Sequence, residues 1–276
     1  MSSPAPLLTR TQSRRIRELL RDKRARNAQG AFIVEGAKPV YDVLQHYPAS
    51  IQFLLIADEF EGHETEPQRR LRISRNISSF RCATRTFPSL SRLDSPQGIL
   101  AVVSQPSWNE DRFLERASLF GVYGEGLQDP ANVGAIIRTA AALRVDALWL
   151  SHESADVYNP KVVRASAGAV LSLPIFVTGD AGRLTNKGIQ LYAAEANGAE
   201  AVKMESIHDV PRRLVLAVGN ESRGLSARTI KEATCRFTIP LSRDIESLNV
   251  AATAAIALYY LRSLRAEDAG DVGKND

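Results

Sequence analysis

The sequence predicts an α/β protein, with a small α/β unit followed by a larger, mostly parallel sheet covered by helices on both faces. Three observations carry this. Short apolar runs alternate with helix-length segments along nearly the whole chain. In the second half those runs are continuously apolar, as strands buried on both faces require. Between the halves, Gln105-Pro-Ser-Trp-Asn-Glu-Asp111 is polar and proline-bearing and reads as a linker. It sets domains at 1–105 and 106–276. The 276 residues, 44% hydrophobic, suffice for one large core or two modest ones.

Residues 1–9 are rich in Ser and Pro and are expected to fray. Residues 10–27 place Ile16, Leu19, Leu20 and Lys23 at helical spacing among arginines, which predicts one basic amphipathic helix. Strands are expected at 32–35, 51–56, 80–84 and 99–103, with helices at 37–46, 64–76 and 88–93 between them. Past the linker, strands are expected at 119–123, 147–150, 189–193, 214–218 and 237–239, and helices at 130–144, 159–170, 226–234 and 248–265. The polar end from Arg265 is expected to be disordered. There is no internal repeat.

Formal net charge is +4, unevenly spread. Residues 1–105 carry 16 basic against 10 acidic side chains, and residues 106–276 carry 19 against 21. Within 10–26 there are eight basic and two acidic residues. A positive lobe beside a near-neutral one suits a polyanionic partner, although a solvated basic helix face fits as well. Two cysteines, Cys82 and Cys235, exclude a disulfide framework and a zinc knuckle and point to a reducing, cytoplasmic setting. His46, His63, His152 and His208 have no ligand spacing, so no metal is expected. The first residues lack the apolar region of a secretory signal, and no run of 18 apolar residues predicts a membrane span.

Three motifs carry the chemistry. In the first, Asp129-Pro130 is a strong helix start ahead of Asn132. Arg138 on that helix leans over the turn carrying Gly134. It stands among Ile136, Ile137, Ala140 and Ala141, where an unpaired guanidinium is costly, so it has a carboxylate partner or awaits a phosphate. In the second, Gly219-Asn-Glu221-Ser-Arg-Gly224 follows a buried strand and precedes a helix capped by Ser226. Gly219 allows close approach of a ligand, Gly224 allows positive φ, and Glu221 is placed to hold Arg138 or a substrate group. In the third, Ile239-Pro-Leu and Ser247-Leu248-Asn249 lead into the small-residue helix Ala251–Ala257, suited to a tight core or an intersubunit face. Each motif also has a plain structural use, as an ion pair, a surface turn or a helix cap. Together they offer backbone amides, Asn amides, one carboxylate and one guanidinium, which suits positioning and charge control better than covalent catalysis. The run Gly124-Glu-Gly126-Leu-Gln-Asp129 fails as a dinucleotide fingerprint because its sixth residue is Asp.

In order along the chain, Asn-x-Gly-x-x-x-Arg (132–138), Gly-Asn-Glu-x-x-Gly (219–224) and Ile-Pro…Ser-Leu-Asn-Val (239–250) resemble the SpoU (TrmH-like) branch of the SPOUT RNA methyltransferases. The segment Asn159-Pro-Lys-Val-Val-Arg164-Ala-Ser-Ala-Gly168 is similar to that family's as well, and Phe32-Ile-Val-Glu-Gly36 resembles its L30e-like N-terminal substrate-binding domain. The resemblance spans residues 10–265. It implies a SPOUT fold with a C-terminal deep trefoil knot, S-adenosylmethionine bound by the knotted loops, and a homodimer with the active site near its interface. It further implies that Gly219, Ile239 and Leu248 contact the cofactor through their backbones, and that Asn132, Arg138, Glu221, Ser247 and Asn249 form the catalytic constellation. The family methylates a ribose 2′-hydroxyl in ribosomal or transfer RNA.

Such a transfer discharges a sulfonium and needs no oxyanion hole. It needs in-line alignment and stabilisation of the developing alkoxide. A guanidinium keeps its proton, so a substrate phosphate relaying the hydroxyl proton while Arg138 clamps it is the simpler arrangement. The separate N-terminal domain favours ribosomal RNA over transfer RNA. A non-catalytic RNA-binding ribosome assembly factor is the alternative of a different class, and the intact Arg138, Glu221 and Asn249 speak against it. The basic 10–26 helix is expected to bind RNA phosphates, and deleting residues 1–105 to spare cofactor binding while abolishing RNA docking.

Overall fold

A computed structural model describes residues 5–196, 198, 200–242 and 246–265. Two compact units form. One holds the chain up to Ser107 together with Asp156–Leu171, and the other holds Trp108–Ala155 and the chain from Ser172 onward.

In the first unit, α1 (Arg10–Arg21) starts at a capping box in which Thr9 and Gln12 satisfy each other's backbone amides. It buries Ile16, Leu19 and Leu20. The single helix expected over 10–27 is in fact two. Asp22 is extended (φ −118°, ψ 119°), and its side chain accepts from the Arg24 amide to cap α2 (Lys23–Gln29). A short carboxylate that serves the backbone better as a cap than as a helical residue explains the break. The unit continues with β1 (Ala31–Glu35), α3 (Ala37–His46), β2 (Ile51–Ala57), α4 (Asp58–His63), α5 (Glu66–Ser74), β3 (Ser79–Cys82) and β4 (Ile99–Ser104). The sheet order is β1-β4-β2-β3, antiparallel except for β2 with β3. Ile16 and Leu19 join Ile33, Phe53, Leu55, Leu100 and Val102 in one core.

Two expectations here are corrected. The helix expected at 88–93 is a 3-10 run at Thr84–Leu90 with Pro88 inside it, and a proline lacks the amide that an α-helix needs there. Residues 5–9, expected to fray, are tied to β3. The Arg81 amide donates to the Pro6 carbonyl and the Leu8 amide to the Arg81 carbonyl, both at 2.9 Å. The rest of that expectation, residues 1–4, lies outside the described residues, as does the expected disordered tail beyond Arg265.

The second unit opens with α6 (Glu110–Leu114), β5 (Leu119–Gly124), α7 (Pro130–Ala142) and β6 (Ala147–Ser151). The chain then visits the first unit, where α8 (Pro160–Ala165) packs on β1 and buries Val162 and Val163. Tyr158 sets its ring 4.9 Å from that of Phe32. Asp156 takes the buried Arg26 guanidinium at 2.6 Å, while Arg26 also donates to the Leu19 carbonyl. One of the eight basic residues of 10–26 is therefore internal. The helix expected over 159–170 stops at Ala165, because Ala167 (φ 48°) and Gly168 (φ 87°) turn left-handed.

Returning to the second unit, β7 (Ile175–Thr178), α9 (Gly182–Thr185), β8 (Gln190–Ala194), β9 (Val202–Lys203), β10 (Arg213–Val218), α10 (Ala227–Glu232), β11 (Cys235–Thr238) and α11 (Val250–Leu264) complete the chain. The sheet order is β7-β6-β5-β10-β8-β11-β9, and every pairing is parallel. The strand ends therefore share one edge, with the loops after β10, β8 and β11 side by side. Trp149 and Tyr123 lie in the core, and the Trp149 indole donates to the Glu110 carboxylate at 2.9 Å. No helix among the described residues is long and apolar enough to cross a membrane.

Candidate active site

Loops leaving the carboxyl ends of the neighbouring strands β8, β10 and β11 line a cavity of about 350 Å³. This is where parallel α/β sheets bind ligands. The loop after β10 closes on itself. Asn220 and Gly224 exchange backbone hydrogen bonds at 3.0 and 2.9 Å. The Asn220 side-chain oxygen accepts from the Ser222 and Arg223 amides, and its nitrogen donates to the Gly126 carbonyl at 2.7 Å. Gly224 takes the positive φ expected of it, +68°. Gly219 has a reason within the fold besides the expected approach of a ligand. A Cβ there would lie 2.2 Å from the Gly224 carbonyl carbon and 2.3 Å from the Leu225 nitrogen. The chain's own backbone already forbids a side chain at 219.

Glu221 is held by three donors. One oxygen accepts from the Asn132 side-chain amide at 3.0 Å and the Asp129 backbone amide at 3.1 Å, and the other accepts from the Gln128 amide at 3.3 Å. Asn132 in turn accepts from the Asn249 side-chain nitrogen at 2.9 Å. The Asn249 oxygen caps α11, accepting from the Ala251 and Ala252 amides. That cap fixes which end of Asn249 faces Asn132, which fixes which end of Asn132 faces Glu221. One directional chain of hydrogen bonds thus joins all three motifs. Partial burial raises the Glu221 carboxyl, but the bonds from Asn132 and the backbone amides outweigh it and hold the group below the usual carboxylate range.

Gly219, Glu221, Ile239, Ser247, Leu248 and Asn249 line the cavity, and Asn132 is buried behind it, bonded to two of them. Arg138 is not brought in. It does not line the cavity, is exposed on α7, and has no hydrogen bond or ion pair among the described residues. Its expected apolar neighbours Ile136, Ile137 and Ala140 are buried on another side of the helix. Six residues past Asn132, a helix has turned by about 240° in projection, which separates the two side chains. Glu221 accordingly holds Asn132, not Arg138.

The third wall, Ala194-Glu195-Ala196, escapes the sequence reading. It is stapled to β11: the Glu195 amide donates to the Phe237 carbonyl, Thr238 donates to the Ala196 carbonyl, and Arg236 grips the Glu195 carboxylate through two nitrogens. A carboxylate directly after an apolar strand was the available signal, on the same strand-end rule that marks Gly219.

The cavity combines apolar side chains (Val218, Ile239, Leu241, Leu248), loop backbone and two carboxylates, Glu195 and Glu221. Such a lining fits a ligand with a flat apolar part and a positive centre, as S-adenosylmethionine has. Among the described residues no cluster of ligating side chains suits a metal ion.

The SpoU rRNA Methylase family model matches residues 120–259, and the MRM3-like substrate binding domain model matches residues 13–101. The 23S rRNA (guanosine(2553)-2′-O)-methyltransferase RlmP of Bacillus subtilis is 28% identical, covering 88% of this chain and 93% of that protein. The 23S rRNA (uridine(2479)-2′-O)-methyltransferase of Streptomyces viridochromogenes is 30% identical, covering 88% and 85%. Among solved structures, the SpoU methyltransferase AviRb from Streptomyces viridochromogenes, in complex with AdoMet, matches with a TM-score of 0.79 at 27% identity, covering 93% of this chain and 98% of that one.

Proposed function

This chain belongs to the SpoU rRNA methylase family, and on that premise we propose that it transfers a methyl group from S-adenosylmethionine to a ribose 2′-hydroxyl of ribosomal RNA. The observation that carries the reading is the chain Glu221–Asn132–Asn249, which locks three separate motifs around one cavity at the strand ends. When bound, S-adenosylmethionine supplies the methyl group on a sulfonium. Gly219, Ile239 and Leu248 offer backbone groups to it, and the Glu221 carboxylate, which has no counter-ion among the described residues, favours its positive charge. Ser247 and Asn249, on the loop before α11, orient the sugar. Arg138, uncommitted among the described residues, is free to clamp the RNA phosphate that relays the hydroxyl proton.

The homodimer belongs to the same proposal. α11 packs on α7 and still exposes Ile256 (41%) and Tyr259 (70%), large apolar side chains that a second copy would cover. Because Arg138 does not line its own chain's cavity, this pairing gives it a route to the reacting sugar. A deep trefoil knot through the loops after β10 and β11 is part of the same proposal. The N-terminal domain supplies RNA contacts through exposed Arg10, Arg17, Arg21, Lys23 and Arg24. The free thiols Cys82 and Cys235 suit a cytoplasmic setting.

The test incubates the protein with methyl-labelled S-adenosylmethionine and unmodified transcripts of ribosomal and transfer RNA. Label recovered as a 2′-O-methyl nucleotide from ribosomal RNA is expected. Label in transfer RNA alone moves the substrate, and tight binding without transfer makes the protein an assembly factor.

A further inference from the structure

We propose that a recess in the first unit takes one unstacked base of the RNA. The proposal rests on the RNA methyltransferase reading and adds a second contact, outside the cavity described above. The recess, about 270 Å³, lies where β2 runs into α4 and is closed by the run from Thr84 to Gly98. Phe60, Phe87, Pro88 and Pro96 give it apolar walls. Phe87 is buried in the core of the unit, Phe60 is half-buried against that core, and Pro88 is exposed at the mouth.

The polar groups around those walls are fixed by backbone and keep bonding capacity to spare. His63 donates from Nδ1 to the Glu59 carbonyl at 2.9 Å, which leaves Nε2 an acceptor in the neutral ring. Gln97 accepts the Ala37 amide at 2.8 Å through its oxygen, which leaves its amide hydrogens to donate. Thr84 accepts the Glu59 amide at 3.1 Å and retains its hydroxyl proton. Aromatic and proline faces beside held donors and acceptors are what proteins use to read bases in single-stranded RNA.

The chemistry selects a base rather than a phosphate. Glu59 is the one charged residue of the lining, and its carboxylate repels an anion. Every residue of the recess falls inside 13–101, the stretch that matches the substrate binding domain model.

The experiment uses the full chain with unmodified transcripts of large- and small-subunit ribosomal RNA. Ultraviolet crosslinking and peptide mapping should place a crosslink at Phe60, His63 or Phe87. Phe60→Leu, which keeps apolar volume but removes the ring, and His63→Ala, at an exposed position, should each weaken RNA binding on the order of ten-fold at fixed salt. Both should bind S-adenosylmethionine as the wild type does. Crosslinks confined to residues outside 57–98, or wild-type RNA affinity in both variants, overturn the recess. If the wild type methylates RNA in that case, the enzymatic reading stands and only this inference falls. If the wild type neither binds nor methylates either RNA, both fall.

Discussion

Glu221 and Arg138 show what a motif reveals and what it hides. Glu221 is an acceptor for three N–H donors, and its carboxyl is held below its ordinary value of 4.5. A carboxyl lowered by folding contributes stability in full above the unfolded value, and that contribution is lost as pH falls through the lower folded one. Wild type should therefore lose more thermal stability than Glu221→Gln on acidification below about pH 4.5. Parallel melting curves for the two would show that the network does not grip the charge. Arg138→Ala should lower methyl transfer by on the order of 10²–10³ while leaving S-adenosylmethionine affinity intact, as removing one transition-state donor does. Near wild-type turnover on the true RNA would remove Arg138 from the mechanism. The sequence marked both residues and left open whether Glu221 holds Arg138 or a substrate group; in the fold it holds Asn132. Residue types are written in a motif, whereas the direction a side chain faces depends on the turn of α7 and on a cap at Asn249 some hundred residues away.

The elements that came through most clearly from sequence are the buried ones. β5, β6, β8 and β10 are continuous apolar runs between helices, and each was expected within a residue or two of its observed bounds. The edge strands β7 and β9 were not expected. β7 (Ile-Phe-Val-Thr) is apolar but only four residues long, and β9 is just Val202 and Lys203, both exposed, so neither run is long enough to stand out as a strand. The wall at 194–196 carried one signal, Glu195 straight after an apolar strand, but the hydrogen bonds that fix it run to β11, some forty residues on in the sequence. The turn after β10 shows the opposite case, where one residue type is dictated locally. Gly219→Ala should open the 219–224 turn and abolish S-adenosylmethionine binding in calorimetry while the far-ultraviolet dichroism stays near wild type. Tight binding by this variant would mean that the backbone contact between 219 and 224 can relax freely.

At the level of the whole molecule, the first unit is discontinuous in sequence. Arg26, which is buried, and Asp156, whose side chain is largely covered, form an ion pair inside it. Asp156→Ala strands a buried guanidinium and should destabilise that unit by about 3–5 kcal/mol in urea unfolding, and an unchanged midpoint would contradict this. A truncation removing residues 1–105 leaves Asp156, Val162 and Val163 without their partners, so it tests more than RNA docking. The similarity of the 159–168 motif to its family was plain from sequence, but its membership of the first unit was not, because nothing in a linear pattern says which sheet a visiting helix joins. The detour has a temporal side. Arg26 and its counter-ion are 130 residues apart, so on the ribosome the guanidinium emerges long before the carboxylate that neutralises it. The basic lobe then waits, unfinished, through the synthesis of β5, α7 and β6. A nascent chain stalled before Asp156 should be cut by protease within residues 10–105, and one stalled well past Leu171 should resist, so that the grip on RNA matures late in translation.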